Sequence, residues 1–219
     1  GPGTRDFTRE AAMTPQEARR AVEAGIGVAN DLAAKGVRIV GLGEMGIGNT
    51  TSASAMTAAF LGRTPQEVTG RGTGVDDAGY RRKLEAIGRA LELHRPDPLD
   101  GLDVLTKVGG FEIAGLAGVT LGAAARGIPV VLDGLIATAA AMAAVRLAPL
   151  ARDVLVPSHG SVEIGHRLLL DALRTRPLFD LELRLGEGTG AALALPLIEA
   201  SLRILDEMAT FASAGVRER

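Results

Sequence analysis

The sequence contains no cysteine and no tryptophan, and aromatic residues make up only 3% of its 219 positions. Without cysteine, disulfides and thiolate metal sites are excluded, and a cytoplasmic location is expected. The shortage of aromatic rings argues against a surface on which nucleic-acid bases stack. The net charge is −2 and no basic run occurs, so neither nucleic acid nor a membrane surface is an expected partner. No run of about 18 apolar residues occurs, so no transmembrane helix is predicted.

Apolar residues make up 47% of the chain and 29 residues are glycine, a composition typical of a globular protein with closely packed helices. Gly1-Pro2-Gly3 resembles the cleavage scar of a fusion tag. We therefore expect residues 1–13 to be a tag remnant followed by a poorly defined segment. Residues 14–219 are predicted to form a single core domain, because no low-complexity linker divides them.

Capping boxes and apolar runs mark the predicted elements. Thr14-Pro15-Gln16-Glu17 and Thr64-Pro65-Gln66-Glu67 each place a capping threonine three residues before a glutamate, with proline at the first helical position. Strands are predicted at 37–40, 128–132, 153–156 and 181–185, and helices at 14–35, 50–61, 64–70, 76–93, 111–125, 136–147, 161–174 and 191–211, with 102–108 helical or irregular. This alternation predicts an α/β fold: a three-layer, mostly parallel Rossmann-like sheet with helices on both faces.

The glycine-rich segment after the first predicted strand is a candidate binding loop. Gly41-x-Gly43-x-x-Gly46 matches the dinucleotide fingerprint, but the second strand and its ribose-binding acid are missing downstream, so NAD is the weaker alternative. Glycine amides and the hydroxyls of Thr50 and Thr51 at a helix start could instead hold one phosphate. A tight turn alone would explain the glycines but not Glu44 among them.

Glu187 is the candidate catalytic residue. The alternating leucines of 181–185 predict a strand that breaks into Gly186-Glu187-Gly188-Thr189-Gly190. Glu187 would then lie at the carboxyl end of a strand, where open α/β sheets bind their ligands. The alternative is an ordinary solvated acid in a loop.

Lys83 and Ser161 are candidate phosphate ligands with simpler alternatives. Lys83, on a predicted helix beyond the glycine loop 71–74, could reach a phosphate or could be solvated like most helical lysines. Ser161 could belong to a phosphate site or could merely be the N-cap of its helix. Met45 and Leu185 are interpreted as core or pocket wall.

The histidines do not indicate a metal or a hydrolase. His159, Glu163 and His166 lack any familiar zinc-binding spacing, so no metal site is predicted. Ser158 and His159 are neighbours in an extended segment, where adjacent side chains are expected to point apart. No Gly-x-Ser-x-Gly motif occurs, so hydrolase chemistry is disfavoured.

Six motifs taken together carry a family resemblance, namely residues 43–51, 70–74, 107–112, 129–134, 158–161 and 184–190. In this order and spacing the sequence resembles the nicotinate-nucleotide–dimethylbenzimidazole phosphoribosyltransferases of the cobalamin lower-ligand pathway. The resemblance implies transfer of the ribose phosphate of nicotinate mononucleotide to 5,6-dimethylbenzimidazole, giving α-ribazole 5′-phosphate and nicotinate. It implies no cofactor and no metal.

The same resemblance implies roles for residues. Glu187 matches the general base, which would take a proton from one ring nitrogen as the other attacks. Lys83 and Ser161 match positions that contact the phosphate. The expected substrate-binding residues are Glu44, Met45, Gly46, Gly48, Asn49, Lys83, Ser161 and Leu185.

The family's chains carry well over a hundred further residues before the equivalent of Thr14, and these contribute to a small helical domain and to the wall of the benzimidazole pocket. The resemblance therefore implies that this chain alone is weak or inactive. The alternative function is a mononucleotide-binding module that needs a further region or a partner chain to complete its pocket. Because the family is dimeric, a homodimer is expected.

Overall fold

Nine α-helices and three short β-strands make up the fold of residues 3–72 and 74–215, the residues that the computed structural model describes. In chain order they are α1 Pro15–Ala34, β1 Val40–Gly41, α2 Thr50–Leu61, α3 Pro65–Val68, α4 Asp77–His94, α5 Gly101–Val108, α6 Phe111–Ala124, β2 Val130–Leu132, α7 Leu135–Leu147, β3 Leu155–Pro157, α8 Ile164–Leu173 and α9 Thr189–Glu207. A 3₁₀ helix, Pro149–Val154, precedes β3. Gly1, Pro2, Thr73 and residues 216–219, which enter the predictions above, lie outside the described part of the chain.

The three strands form one parallel sheet in the order β1-β2-β3. Val130 pairs with Val40 on one side and with Leu155 on the other. All three residues of β2 are buried, because helices cover both faces of the sheet. Val130 and Leu132 contribute to the large core, whereas Val131 packs with Ala191 and Ala194 of α9 on the opposite face. The predicted α/β fold with helices on both faces is confirmed.

The predicted capping boxes begin two of the helices. The Glu17 amide donates to Thr14 Oγ1 over 3.2 Å, and the Thr14 amide donates to the Glu17 carboxylate over 2.7 Å. Thr64 and Glu67 form the second box at α3. Each pair satisfies amides that the first helical turn would otherwise leave unpaired.

Residues 3–13, which the sequence leaves unassigned, pack against the end of α5. The amides of Ala12 and Met13 donate to the carbonyls of Lys107 and Thr106 over 3.1 and 2.9 Å. Ala12 and Met13 are buried. The division of the chain into a terminal segment and a core domain stays a prediction.

The predicted strand at 181–185 is wrong. These residues are irregular, Glu182 has a φ of 53°, and Leu181 and Leu185 are 59% and 69% exposed. A positive φ is incompatible with extended strand geometry. The chain pairs with the sheet slightly earlier, through an isolated parallel bridge between Phe179 and His159.

The predicted helix start at Ser161 is also wrong. Helix α8 begins at Ile164, and its N-cap residue is Glu163. The Ser161 hydroxyl accepts a hydrogen bond from the Glu163 amide over 3.3 Å, so it shapes the turn before the helix rather than capping the helix itself.

Helices α1 and α6 pack closely because small residues face each other. A Cβ built on Gly118 of α6 would overlap the carbonyl group of Val22 and lie 3.0 Å from the Cα of Gly25, both in α1. Only glycine permits this distance between the two backbones. In the same helix, a Cβ on Gly115 would meet nothing within 4 Å.

We expect Gly118→Ala to lower the free energy of unfolding by about 1–3 kcal/mol, because the new methyl group clashes with backbone atoms that cannot move independently. Gly115→Ala is the matched control, and its higher helix propensity should leave stability unchanged or raise it by up to about 1 kcal/mol. Urea denaturation of both variants measures the difference. Equal stability of the two variants would contradict the proposed packing constraint.

Candidate active site

A cavity of about 300 Å³ opens at the carboxyl ends of the strands. Its walls come from the loops after β1, β2 and β3 and from the segment before α9, which is where parallel α/β sheets bind their ligands. The structure places all nine predicted site residues around this one cavity: Glu44, Met45, Gly46, Gly48, Asn49, Lys83, Ser161, Leu185 and Glu187.

Asp133, at the end of β2, holds the Glu187 loop in place. It is 4% exposed, and its two carboxylate oxygens accept the amides of Gly188 and Gly190 over 3.0 and 2.8 Å. These amides belong to the start of α9, whose N-cap residue, Gly188, has no side chain to supply a cap. Asp133 therefore caps α9 from a distant part of the sequence, with its negative charge at the positive end of the helix.

The Glu187 loop also packs directly on the loop after β1. A Cβ on Gly43 would lie 2.6 Å from the amide nitrogen of Gly188, so the two backbones meet only because Gly43 has no side chain. Glu187 itself has a φ of 59°, a conformation that costs a non-glycine residue energy and that surrounding contacts must maintain. The contacts of Asp133 and Gly43 fix the position of Glu187 at the cavity.

One end of the cavity is suited to an anion. Lys83 donates to Thr50 Oγ1 over 2.9 Å and to the Gly70 carbonyl over 3.3 Å. Burial lowers the pKa of Lys83, and the nearby Glu163 carboxylate opposes that shift. Helices α2 and α7 begin beside the same cavity, and their N-cap residues, Asn49 and Gly134, make no side-chain cap. A lysine and uncapped amides of helix N-termini together favour binding of a phosphate group.

Glu44, Asp133 and Glu187 also line the cavity, and we call this part of the lining the acidic end. Asn49 donates one hydrogen bond to Glu44 and a second to Glu112 over 3.4 Å. Burial raises the pKa of Glu44, the Asn49 hydrogen bond opposes this, and the carboxylates of Glu112, Asp133 and Glu187 raise it further. These carboxylates would favour a ligand that carries or gains positive charge.

Large apolar side chains also line the cavity. Met45, Ile47 and Leu185 are 79%, 96% and 69% exposed. They are therefore not core residues, and they are available to an apolar ligand.

Ser158 and His159 do not point apart as predicted, because the Ser158 hydroxyl and His159 Nδ1 lie 2.9 Å apart. Ser158 lies outside a regular strand, and His159 forms an isolated bridge with Phe179, so the strict alternation of a strand does not apply to this pair. Ser158 is fully buried, and a buried hydroxyl cannot attack a substrate. No group of His, Asp and Glu side chains in residues 3–72 and 74–215 is arranged to hold a metal ion.

The dinucleotide alternative lacks support in the fold. Between α2 and α4, the described residues contain the short helix α3 but no strand. The acid-bearing second strand that a dinucleotide site requires is therefore not found in this part of the chain. Within the described residues, no helix is long and apolar enough to cross a membrane.

Sequence reasoning missed several residues of the cavity, above all Asp133 and Glu163. Asp133 carries a usable signal, because an acid directly after an apolar strand lies at the ligand-binding edge of a parallel sheet. Glu163 carries no such signal in the sequence, because only the turn before α8 brings it to the cavity.

A parallel sheet with a cavity at its carboxyl edge places the chain among the α/β proteins that bind their ligands at this edge. The family model described as "Phosphoribosyltransferase" matches residues 1–216. The chain belongs to this phosphoribosyltransferase family.

The relatives are close but longer. The nicotinate-nucleotide–dimethylbenzimidazole phosphoribosyltransferases of Roseiflexus sp. (strain RS-1) and Geobacter sp. (strain M21) are 60% and 56% identical to it, over 99% and 98% of this chain and 61% of each relative. The crystal structure of CobT from Thermus thermophilus superposes with a TM-score of 0.94 at 50% identity, covering 100% of this chain and 65% of that one. The chain thus spans about 61% of the length of these curated relatives.

We expect Asp133→Asn to loosen the start of α9, because one of the two glycine amides would face the amide group of asparagine instead of an oxygen. The predicted loss of stability is about 1–3 kcal/mol, typical of a buried donor left unpaired. Hydrogen exchange at Gly188 and Gly190 should become faster than in the parent chain. The control, Asp153→Asn, removes the same charge from an exposed position and should leave both measurements unchanged; slow exchange in Asp133→Asn would refute the capping role.

Proposed function

We propose that this chain carries out the phosphoribosyl transfer of an enzyme that converts nicotinate mononucleotide and 5,6-dimethylbenzimidazole to α-ribazole 5′-phosphate and nicotinate, in cobalamin biosynthesis. The observation that carries the proposal is that Glu187 and the anion-binding residues Lys83 and Thr50 line one cavity. Relatives that bear the name of this activity are 56–60% identical to the chain.

The proposed chemistry is a displacement with inversion at the anomeric carbon. One ring nitrogen of the benzimidazole attacks that carbon, and the glycosidic bond to nicotinate breaks. The bonding electron pair moves to the pyridinium nitrogen of the leaving nicotinate, which neutralises its positive charge. The attacking ring gains that charge, and Glu187 removes the proton from its other nitrogen.

The anion-binding end of the cavity would hold the 5′-phosphate. Lys83 provides charge, Thr50 and Ser161 provide hydroxyls, and Gly46 and Gly48 belong to the loop that leads into α2. A fixed phosphate aligns the anomeric carbon with the attacking nitrogen and lowers the entropic barrier to reaction.

The acidic end would hold the reacting centre. Glu44, positioned by Asn49, would face the ribose or the base, where positive charge moves from one ring to the other during reaction. Met45 and Leu185 would contact the apolar face of the benzimidazole. Because carboxylates stabilise the charge that develops on the attacking ring, this arrangement favours the transition state.

A mononucleotide-binding module is the second candidate function. It is favoured because the residues that would bind the phosphate are already in place: Lys83 and Thr50 are hydrogen-bonded to each other. The residues that would contact the base, Met45 and Leu185, are instead 79% and 69% exposed. In that case the chain would bind nicotinate mononucleotide and transfer nothing by itself.

The test is a product assay. The purified chain is incubated with both substrates, and α-ribazole 5′-phosphate is measured by mass spectrometry. We expect Glu187→Gln to lower the rate by roughly 10²–10⁴-fold, the usual contribution of a general base. Glu182→Gln, an exposed acid in the same segment, is the matched control and should retain the parent rate.

Calorimetric binding of nicotinate mononucleotide separates the two candidate functions. Product from the parent chain supports the transferase, and binding without product supports the module. Neither product nor binding would overturn both.

We also propose that the chain forms a cytoplasmic homodimer. Helix α9 supports the association, because Leu197, Leu202, Ile204 and Leu205 are each at least 50% exposed, and such apolar surfaces usually bind another protein surface. We expect sedimentation velocity to give twice the monomer mass, with Leu205→Glu shifting the chain toward monomer. A monomer at micromolar concentration would contradict the proposal.

A further inference from the structure

His166 of α8 joins two loops of the cavity without lining the cavity itself. Its side chain is fully buried. The Ser161 amide lies 3.0 Å from Nδ1, and Thr138 Oγ1 lies 3.0 Å from Nε2. Thr138 in turn donates its hydroxyl proton to the Gly134 carbonyl over 2.9 Å. Ser161 and Gly134 both line the cavity.

The two groups at the ends of this series of hydrogen bonds, the Ser161 amide and the Gly134 carbonyl, determine which atom donates in each bond. The Ser161 amide can only donate, so Nδ1 accepts and the ring proton must be on Nε2. Nε2 then donates to Thr138, whose hydroxyl donates to the Gly134 carbonyl. Burial, assisted by the neighbouring His159, lowers the pKa of His166 to about 3, so the imidazole is neutral at physiological pH. A second ring proton would face the Ser161 amide and break the chain of bonds.

This chain of bonds sets the position of Ser161 at the anion-binding end. A Cβ on Gly134 would lie 4.0 Å from Ser161 Oγ, so the serine hydroxyl is close to the start of α7. Within the described residues, Ser161 Oγ accepts a hydrogen bond from the Glu163 amide and donates none. Its proton is therefore available to an oxygen of a ligand.

We propose that His166 is a positioning residue, which holds Ser161 beside the start of α7 so that the serine hydroxyl meets the phosphate of the bound nucleotide. The inference rests on the proposed function, because it assigns the phosphate of nicotinate mononucleotide to this end of the cavity. His166 touches no substrate, and its effect passes through Ser161.

Two substitutions of His166 separate its two bonds. The Oδ1 atom of asparagine occupies approximately the position of Nδ1, so His166→Asn retains the acceptor for Ser161. The amide of glutamine reaches the position of Nε2, so His166→Gln retains the bond to Thr138 and loses the one to Ser161. We expect weak phosphate binding only in His166→Gln.

The experiment compares nicotinate mononucleotide with nicotinate riboside, which lacks the phosphate, by calorimetry on the whole chain. The dissociation constant of the riboside divided by that of the mononucleotide measures the contribution of the phosphate. We expect His166→Gln to reduce this ratio about tenfold, as loss of a positioned hydrogen bond predicts. His166→Asn should stay within about threefold of the parent, since it keeps the Ser161 contact.

Thr138 provides a second pair of variants, should the His166 variants fold poorly. Thr138→Val leaves the Nε2 proton of His166 without an acceptor, which favours a shift of the proton to Nδ1 and loss of the Ser161 bond, so this variant should lower the ratio. His166→Asn has no ring proton to shift, and Thr138→Ser keeps the hydroxyl, so both should preserve the ratio. If His166 had a merely structural role, the variants would lose thermal stability or bind both ligands equally less tightly, and the ratio would stay unchanged in every variant. That result would overturn the inference. A parent chain that binds both ligands equally would overturn the proposed function and the inference with it.

Discussion

The bond between Asp133 and the start of α9 is the contact on which the geometry of the cavity depends. Asp133 ends the central strand, and its carboxylate accepts two amides from the start of a helix that is distant in the sequence. A helix capped by its own serine or aspartate would place its start independently of the sheet. Here the cap belongs to the sheet, so Glu187 cannot move relative to the strand ends without exposing amides that have no other partner.

Regular elements were predictable where a local rule determines them. The capping boxes at Thr14 and Thr64 begin α1 and α3 as expected, and the apolar run ending at Leu132 is a strand because helices cover both of its faces. The strand predicted from Leu181 to Leu185 failed for a physical reason. Alternation of leucines indicates a strand only if a neighbouring strand accepts its backbone bonds, and the left-handed conformation of Glu182 prevents that pairing.

The candidate site was predictable to the extent that its residues lie in glycine-rich loops after apolar runs. Such loops gather at one edge of a parallel sheet whatever the details of the fold, so Glu44, Ser161 and Glu187 could be identified as candidates one by one. Lys83 lies on α4, and its candidate role came from the family resemblance. Asp133 acts through bonds to two distant backbone amides, and His166 joins the nearby Ser161 amide to the distant Thr138 hydroxyl. The contact of Ser158 with His159 joins neighbours that a regular strand would keep apart. No spacing in the sequence encodes these three-dimensional relations.

The cavity lining combines Lys83 with the acidic side chains of Glu44 and Glu187, and both kinds of charge have a place in the proposed reaction. A phosphate at Lys83 brings its negative charge to the end where helix N-termini and an ammonium group compensate it. The acidic end would then face rings that exchange one positive charge. Burial is the main cause of the raised pKa of Glu44, and the carboxylates of Glu112, Asp133 and Glu187 raise it further. A cationic ring relieves that repulsion. The cavity would thus bind the cationic nicotinate ring of the substrate and stabilise the charge as it passes to the attacking base, while the phosphate holds the ribose between them.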